Sequence, residues 1–123
     1  MTEKTRRFTI LEHHWNGVHW DFLVEDGSHL RTWAIDDPLV VGIERSARAL
    51  PAHRRVYLDY EGEVSGGRGR VQRWDSGLCQ IIEWKEDRVC LRVEGNQIAG
   101  VIDFRGRLVD GERRWVVCLG KLS

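Results

Sequence analysis

Short apolar runs separated by glycine-containing turns limit most strongly what this chain can fold into. Its 123 residues include thirteen glycines but only two prolines. Within the runs, Trp, Val and Ile alternate with polar residues, which is the pattern of half-buried β-strands. The alternation predicts strands at residues 8–12, 19–25, 30–35, 55–60, 70–74, 78–84, 88–93, 97–104 and 114–119.

The segments between these runs carry turn signals. Asp26-Gly27, Asp110-Gly111 and the stretches 75–77 and 94–96 contain the residue types of tight turns. Residues 36–52 interrupt the alternation, and their part 43–50 is predicted as a short helix. Regular short strands favour a sandwich or a closed barrel, which also removes exposed sheet edges. We therefore expect an all-β fold: one compact β-barrel domain over residues 1–123, with about eight mostly antiparallel strands and at most one short helix.

Cysteine usage and the length of the apolar runs indicate the compartment. The three cysteines, Cys79, Cys90 and Cys118, are an odd number, and each lies singly within an apolar stretch. They are interpreted as buried free thiols of a reducing cytoplasm rather than as disulfides or zinc ligands. No apolar run approaches the roughly 20 residues of a membrane helix, and residues 1–7 lack the apolar centre of a signal peptide. A cytoplasmic monomer without membrane association is expected.

The balance of charge limits how the chain can bind nucleic acid. Nineteen Lys and Arg residues are matched by nineteen Asp and Glu residues, so the net charge is zero. Tight duplex binding usually needs a basic surface, because affinity comes largely from neutralising phosphates. A strand end needs fewer such contacts. Several arginines nevertheless cluster in the middle of the chain: Arg45, Arg48, Arg54, Arg55, Arg68 and Arg70. Such a run is typical of a solvated face as well as of a phosphate-binding patch.

The densest group of chemically active residues lies where the first predicted strand leads into the second. His13, His14 and His19 fall within seven residues, and Asp21 follows. On a strand, His19 and Asp21 share a face because they are two residues apart, and His13 can return to that face across the connection at 15–18. Two imidazoles and a carboxylate form a facial set for a divalent transition metal. Two alternatives stay open: His14 replaces His13 as a ligand, or the histidines cap a hairpin while Asp21 pairs with an arginine.

A second group combines His53 with Tyr57 and Tyr60. If residues 55–60 are extended, the even spacing of His53 and Tyr57 places both on one face. A histidine can protonate a leaving oxygen, and a phenol can donate a hydrogen bond to a phosphate. The alternative is a half-buried histidine beside a core tyrosine. The four glycines between 62 and 69 are typical of turns and lack the spacing of a P-loop.

Taken together, these segments resemble the 3′-phosphoesterase domain of bacterial DNA ligase D. That family carries a histidine followed six residues later by a His-x-Asp-Phe block, which is found here at His13 and at 19–22. Further matching elements follow in the same order: Trp33-Ala34, His53-x-x-x-Tyr57, Tyr60-Glu61-Gly62, Trp74-Asp75-Ser76-Gly77 and the closing stretch 104–115. The match spans nearly the whole chain, so chance is a poor explanation.

The resemblance implies a β-barrel with a polar site at one end or on one face. It makes His13, His19 and Asp21 the ligands of a divalent cation. Manganese is the first choice for this cation, with zinc or another transition metal as alternatives.

The resemblance also implies a reaction and its partners. It makes His53 and Tyr57 catalytic or phosphate-contacting residues, and Arg45 a phosphate-binding arginine. The implied chemistry removes a 3′-terminal ribonucleoside from a primer strand and then the remaining 3′-phosphate. DNA or RNA-containing 3′ ends are therefore the expected partners, together with a separate DNA ligase.

Two positions depart from the family pattern. Leu23 stands where the family has an arginine, and Asp37 lies near the position of a loop lysine. Losing one cation from a phosphate site lowers the rate by about a hundredfold or more, so Leu23→Arg is expected to raise activity. Two further interpretations stay open: a non-catalytic, metal-containing module that binds nucleic-acid ends, and a small-molecule-binding barrel with structural histidines.

Overall fold

The computed structural model describes residues 5–121 and shows an all-β protein. Among these residues the only helical element is one turn of 3-10 helix, Arg55–Leu58. The described part of the chain therefore contains no helix that is long and apolar enough to cross a membrane. The strands, in chain order, are β1 (Thr5–His14), β2 (Val18–Asp26), β3 (His29–Ile35), β4 (Arg45–Arg54), β5 (Gly62–Glu63), β6 (Arg70–Trp84), β7 (Arg88–Gly95), β8 (Ala99–Val109) and β9 (Glu112–Gly120).

Eight of the strands form a closed antiparallel barrel. Neighbours follow the order β1-β2-β3-β4-β9-β8-β7-β6, and β6 pairs in turn with β1, which closes the ring. The two-residue β5 pairs with the start of β6 as a ninth strand. Closure gives every strand of the ring a neighbour on both sides, so no long edge is exposed. The predicted barrel of antiparallel strands is confirmed, as are the turns at Asp26-Gly27 and Asp110-Gly111.

Alternate side chains of the strands fill the barrel interior. On β1 and β2 the even-numbered residues point inward, and Phe8, Ile10 and Phe22 are almost completely buried. Aromatic rings occupy the centre, where Trp33 stacks on Phe104 with ring centroids 4.1 Å apart. Burying each such side chain contributes about 1.5–3 kcal/mol. The interior is therefore a packed core.

A second hydrophobic cluster lies on the outside of the barrel. The odd-numbered residues of β1 and β2 point outward, yet Leu11 and Leu23 among them are buried. The 3-10 helix covers them with Leu58, and the Thr9 hydroxyl donates a hydrogen bond to Leu58 O at 2.8 Å. Val71 of β6 packs into the same cluster. This outer cluster fixes the 3-10 helix on the barrel face that carries His13, His19 and Asp21.

Two predicted elements in the middle of the chain are wrong. Residues 43–50 are not a helix, because most of them belong to β4, where buried Ala47 lies between exposed Ser46 and Arg48. Pairing of β4 with both β3 and β9 outweighs the local helix propensity. Residues 55–60 are not extended, because the 3-10 helix begins at Arg55 directly after β4 and buries Leu58.

A β-bulge allows β4 to contain a proline. Leu30 pairs with His53 whereas Thr32 pairs with Leu50, so β4 has one more residue than β3 in this interval. Pro51 lies in the bulge, where its missing N–H costs no ladder hydrogen bond. Because a bulge bends its strand, the last residues of β4, from His53 onward, run in a different direction from the rest of the strand.

The predicted turn at 75–77 is also wrong, because these residues lie inside the 15-residue strand β6. The pairing of β6 with β1 shifts by one residue here, and Trp74 is the extra residue of a bulge. An extra residue reverses which side chains face inward. Val71, before the bulge, therefore packs in the outer cluster, and Cys79, after it, packs in the interior.

The Asp75 carboxylate of this motif holds the connection between β7 and β8. It is buried and accepts hydrogen bonds from four backbone N–H groups, those of Ser76, Asn96, Gln97 and Ile98. Gly95 permits the approach, since a Cβ there would lie 2.4 Å from Asp75 Oδ2. Asp75 of β6 thus binds the loop between β7 and β8, and Gly95 makes room for this contact.

Candidate active site

Three candidate metal ligands meet on the outer face of the barrel. His13 of β1 lies directly opposite His19 of β2, and Asp21 follows two residues later on the same outward side of β2. One ligand atom from each residue lies within 4.8 Å of the other two. The antiparallel register therefore brings together the two histidines and the carboxylate that the sequence separates by a turn.

Hydrogen bonds orient both imidazoles towards the carboxylate. His19 Nδ1 lies 2.8 Å from Asp21 Oδ1. His13 Nε2 lies 2.8 Å from Arg68 O, and because a carbonyl oxygen only accepts, Nε2–H is the donor. His13 Nδ1 approaches Asp21 Oδ2 to 3.3 Å, but it is buried and has no hydrogen-bond partner within residues 5–121. In the neutral ring this Nδ1 carries the lone pair, and it points at the carboxylate.

Contacts within this group shift the pKa values of Asp21 and His13. Burial works to raise the pKa of the Asp21 carboxyl, but its contacts with His13 and His19 outweigh burial and hold that pKa below its ordinary value. The contact with Asp21 raises the pKa of His13, against the effect of burial. Asp21 is therefore ionised at neutral pH, and its charge favours a proton or a metal ion beside the imidazoles.

These residues fit a divalent transition metal. Neutral imidazole nitrogens and a carboxylate suit such an ion, and three protein ligands leave coordination positions open. The unpartnered Nδ1 of His13 is a ligand atom without another use in the described structure. The hydrogen bond from His13 Nε2–H to a backbone carbonyl is the outer contact that usually fixes a metal-binding histidine.

His14 does not belong to this group. Its Nε2 lies 2.6 Å from Glu12 Oε2, and it does not line the pocket that contains His13. Strand alternation places Glu12 and His14 on the side of β1 opposite to His13. Of the two histidines left open by the sequence, the structure places His13 beside His19 and Asp21.

The candidate ligands form part of the wall of a pocket of about 530 Å³. His53 and Tyr57 line the same pocket, with ring centroids 5.9 Å apart. His53 lies at the end of β4, after the bulge, and its Nδ1–H donates to Pro51 O at 2.8 Å. Tyr57 lies on the 3-10 helix, so the two residues converge because the chain turns, and not because they share a strand face.

Three arginines give the pocket positive charge. Arg48, Arg54 and Arg68 line it, whereas Arg45 does not. Arg45 shares the inward-facing side of β4 with Ala47, and its Nε–H donates to Pro38 O at 2.9 Å. The structure therefore brings together all of the predicted site residues except Arg45.

The two departures from the family pattern lie outside the pocket. Leu23 is fully buried in the outer cluster beneath the 3-10 helix. Asp37 is exposed in the loop between β3 and β4 and does not line the pocket. Asp37 therefore adds no carboxylate to the pocket lining, and Leu23 has a packing role.

Sequence reasoning did not find the role of the loop between β5 and β6. This loop supplies Arg68, whose carbonyl oxygen holds His13. Gly69 lets the loop press against the β1–β2 hairpin, because a Cβ at 69 would lie 1.9 Å from His14 O. The four glycines between 62 and 69 indicated turns in the sequence. Only the fold shows that Gly69 is the one that packs closely against the β1–β2 hairpin.

A small closed barrel with two histidines, a carboxylate and a basic pocket on its outer face defines a class of candidate metal-dependent, phosphate-binding proteins. Comparison with known proteins identifies the family of the chain. The sequence model of the DNA Ligase D 3′-phosphoesterase domain matches residues 11–105, which is more than half of the chain. The chain belongs to this family, and all the candidate site residues lie within the matched range.

Curated relatives are much longer than this chain. It is 29% identical over 102 residues to the multifunctional non-homologous end joining protein LigD of Mycobacterium bovis. It has the same identity to the multifunctional non-homologous end joining DNA repair protein LigD of Mycobacterium tuberculosis. The alignments cover 76% of this chain but only 13% of either relative.

Proposed function

We propose that this protein is a metal-dependent phosphoesterase that acts on nucleic-acid 3′ ends in DNA repair. The observation that carries the proposal is that the His13, His19 and Asp21 group lines one pocket with His53, Tyr57 and three arginines. Membership of the ligase D 3′-phosphoesterase family and the repair function in the relatives' names support it.

In this proposal His13, His19 and Asp21 hold the cation, with manganese as the first candidate and zinc or another transition metal as alternatives. A bound divalent cation supplies Lewis acidity towards a phosphoryl oxygen and lowers the pKa of a bound water. Asp21 keeps its negative charge, and Arg68 O keeps the His13 ring oriented.

The remaining pocket residues act on the phosphate. Because His53 Nδ1–H donates to Pro51 O, Nε2 of the neutral ring carries the lone pair and accepts a proton. In the protonated ring, Nε2–H donates to a phosphate or leaving oxygen. The Tyr57 hydroxyl donates a hydrogen bond to the phosphate, and Arg48, Arg54 and Arg68 offset its charge. Arg48 and Arg54 take the role that the family resemblance gave to Arg45.

The substrate is a strand end rather than continuous duplex. A net charge of zero argues against a long phosphate-binding track. A single pocket with three arginines suits one or two terminal phosphates. The proposed substrates are a primer strand ending in a ribonucleoside and one ending in a 3′-phosphate. A separate DNA ligase is the proposed partner in the pathway, and the free cysteines support a reducing cytoplasm.

A non-catalytic module that binds nucleic-acid ends is the second candidate. It is favoured by Leu23, which contributes no cation to the site. A small-molecule-binding barrel gains no support, because aromatic side chains fill the barrel interior.

Cleavage of two labelled primer-templates tests the proposal. One ends in a single ribonucleotide and the other in a 3′-phosphate, and each is incubated with and without manganese. His13→Ala and His53→Ala are expected to lose processing, whereas the neighbouring His14→Ala is the matched control and retains it. Metal-independent processing, or processing that survives in both variants, would overturn the proposal.

Metal binding is measured separately by calorimetric titration. His19→Ala is expected to weaken manganese affinity by about a hundredfold or more, with an unchanged barrel by circular dichroism. Unchanged affinity would remove the proposed centre. Retained binding without processing of either substrate would favour the end-binding module.

A further inference from the structure

A large aromatic side chain stands exposed at the rim of the pocket. Trp15 is 42% exposed and lines the pocket beside His13. Its ring is nearly parallel to that of His13, at an interplanar angle of 22° and a centroid distance of 6.1 Å. An indole at the rim of a pocket offers an apolar ring face for contact with whatever enters the pocket.

The backbone fixes the position of Trp15. It begins the three-residue connection between β1 and β2, in which Asn16 and Gly17 both have positive φ. Trp15 N–H donates to Gly17 O at 2.9 Å. On the other side, a Cβ at Gly69 would lie 2.8 Å from the Trp15 Cβ, so the loop between β5 and β6 packs closely against it. The indole is thus presented from a rigid hairpin.

We infer that Trp15 is a stacking platform for the nucleobase of the terminal nucleotide. This inference rests on the proposed function and names the part of the substrate that the chain recognises besides phosphate. Aromatic side chains bind bases by stacking without sequence preference, because every base has a π-face. The Trp15 and His13 rings lie 6.1 Å apart and line the same pocket. A terminal nucleotide that stacks its base on Trp15 therefore keeps its phosphate close to the candidate ligands.

Stacking on Trp15 makes this protein selective for strand ends that carry an accessible base. A base stacked on Trp15 has left its neighbour in the strand, so frayed or single-stranded termini bind better than paired ones. Trp15 is a positioning residue: it touches the nucleoside and leaves the ligands and the phosphate-binding residues unchanged.

Two matched single-stranded oligonucleotides test the inference. Both end in a 3′-phosphorothioate, which slows hydrolysis, but in one of them the terminal nucleotide is abasic. Affinity for manganese-loaded protein is measured by fluorescence anisotropy. Wild type is expected to bind the base-bearing end about tenfold more tightly or better. Trp15→Ala loses that preference, whereas Trp15→Phe retains most of it. Leu108→Ala, which removes an exposed apolar side chain outside the pocket, is the matched control and keeps it.

The outcomes separate this inference from the proposed function. Equal affinity of wild type for the two oligonucleotides would overturn the stacking platform but not the proposed function. The same holds if Trp15→Ala loses affinity equally for both oligonucleotides. Weakened manganese binding in Trp15→Ala would show that Trp15 supports His13 rather than a base, and would also overturn it. Failure of wild type to bind either oligonucleotide would overturn both proposals.

Discussion

The orientation of a single ring decides whether the candidate metal centre can work. His13 Nε2–H donates to Arg68 O, and this contact leaves Nδ1 facing Asp21. The carbonyl comes from the loop between β5 and β6, which is held close to the barrel by Gly69. Gly69, which has no side chain to bind metal or phosphate, thus controls the orientation of the candidate ligand His13.

Gly69→Ala is predicted to weaken metal binding without removing a ligand. The added Cβ would lie 1.9 Å from His14 O, so the loop must move and Arg68 O must leave His13. Loss of such an outer contact costs about tenfold or more in metal affinity. Calorimetric titration with manganese measures the effect.

Gly67→Ala is the matched control for this variant. Both glycines have positive φ, at +66° for Gly67 and +75° for Gly69, but a Cβ at Gly67 meets nothing within 4 Å. Gly67→Ala therefore carries the backbone strain without the collision. Equal losses of metal affinity in the two variants would mean that strain, and not the contact with His13, is responsible.

Leu23→Arg is predicted to destabilise the protein, contrary to the gain in activity expected from the sequence. Leu23 is fully buried beside Leu11 and Leu58, and a guanidinium there has no carboxylate in the cluster. An unpaired buried charge costs about 3 kcal/mol or more. Urea denaturation measures the cost, and Leu23→Met, which keeps the volume, is expected to lose under about 1.5 kcal/mol. A stable Leu23→Arg variant with raised activity would refute this assignment.

Among the secondary-structure elements, the 3-10 helix is held against the barrel by charged contacts at both of its ends. Arg55 at its start forms an ion pair with Glu25 at the end of β2, and Glu25 also accepts a hydrogen bond from Arg7 N at 2.7 Å. Asp59, directly after the helix, pairs with Arg7 at 2.6 Å. These contacts hold the segment that carries Tyr57 into the pocket.

Glu25→Gln is predicted to lower the free energy of unfolding by about 1 kcal/mol at pH 7. Burial works to raise the pKa of Glu25, but the contacts with Arg7 and Arg55 outweigh it and lower that pKa. A carboxyl whose pKa is lower in the folded state stabilises it above the unfolded pKa of about 4.3. That contribution is lost as the pH falls through the folded value.

The difference in stability between wild type and Glu25→Gln should therefore be constant above pH 5 or so and shrink below about pH 4. Urea unfolding at a series of pH values measures it. Glu44→Gln is the control, because Glu44 is exposed and forms no ion pair with any other residue in the range 5–121. A pH-independent difference would show that Glu25 acts by packing alone.

At the scale of the whole molecule, most strands of the barrel and the shared face of His19 and Asp21 could be predicted because both follow from short-range patterns. Alternation marks the strands, and a spacing of two places His19 and Asp21 on one face. The bulges at Pro51 and Trp74 could not be predicted, because each is defined by the register against a partner strand. The same limit hid the orientation of Arg45, which depends on which side of β4 faces inward.

The closed barrel predicts that the thiol of Cys118 reacts before that of Cys79. Cys79 lies in the interior on a strand that is paired on both sides, with Arg6 of β1 and Val93 of β7. Burial raises the pKa of its thiol to about 12, so at pH 8 only about one molecule in ten thousand carries the thiolate. Cys118, on β9, is only half-buried.

A thiol reagent at pH 8 is therefore expected to modify Cys118 first, and Cys79 only on global unfolding. No local fraying exposes Cys79, because its strand has no free edge at that point. Mass spectrometry of peptides from labelled native protein identifies the modified residue, and Cys118→Ser should abolish the fast reaction. Modification of Cys79 at a rate similar to that of Cys118 would mean that the β1–β6 pairing opens in the native state. The barrel closure that holds the loop between β5 and β6 against His13 would then be only transient.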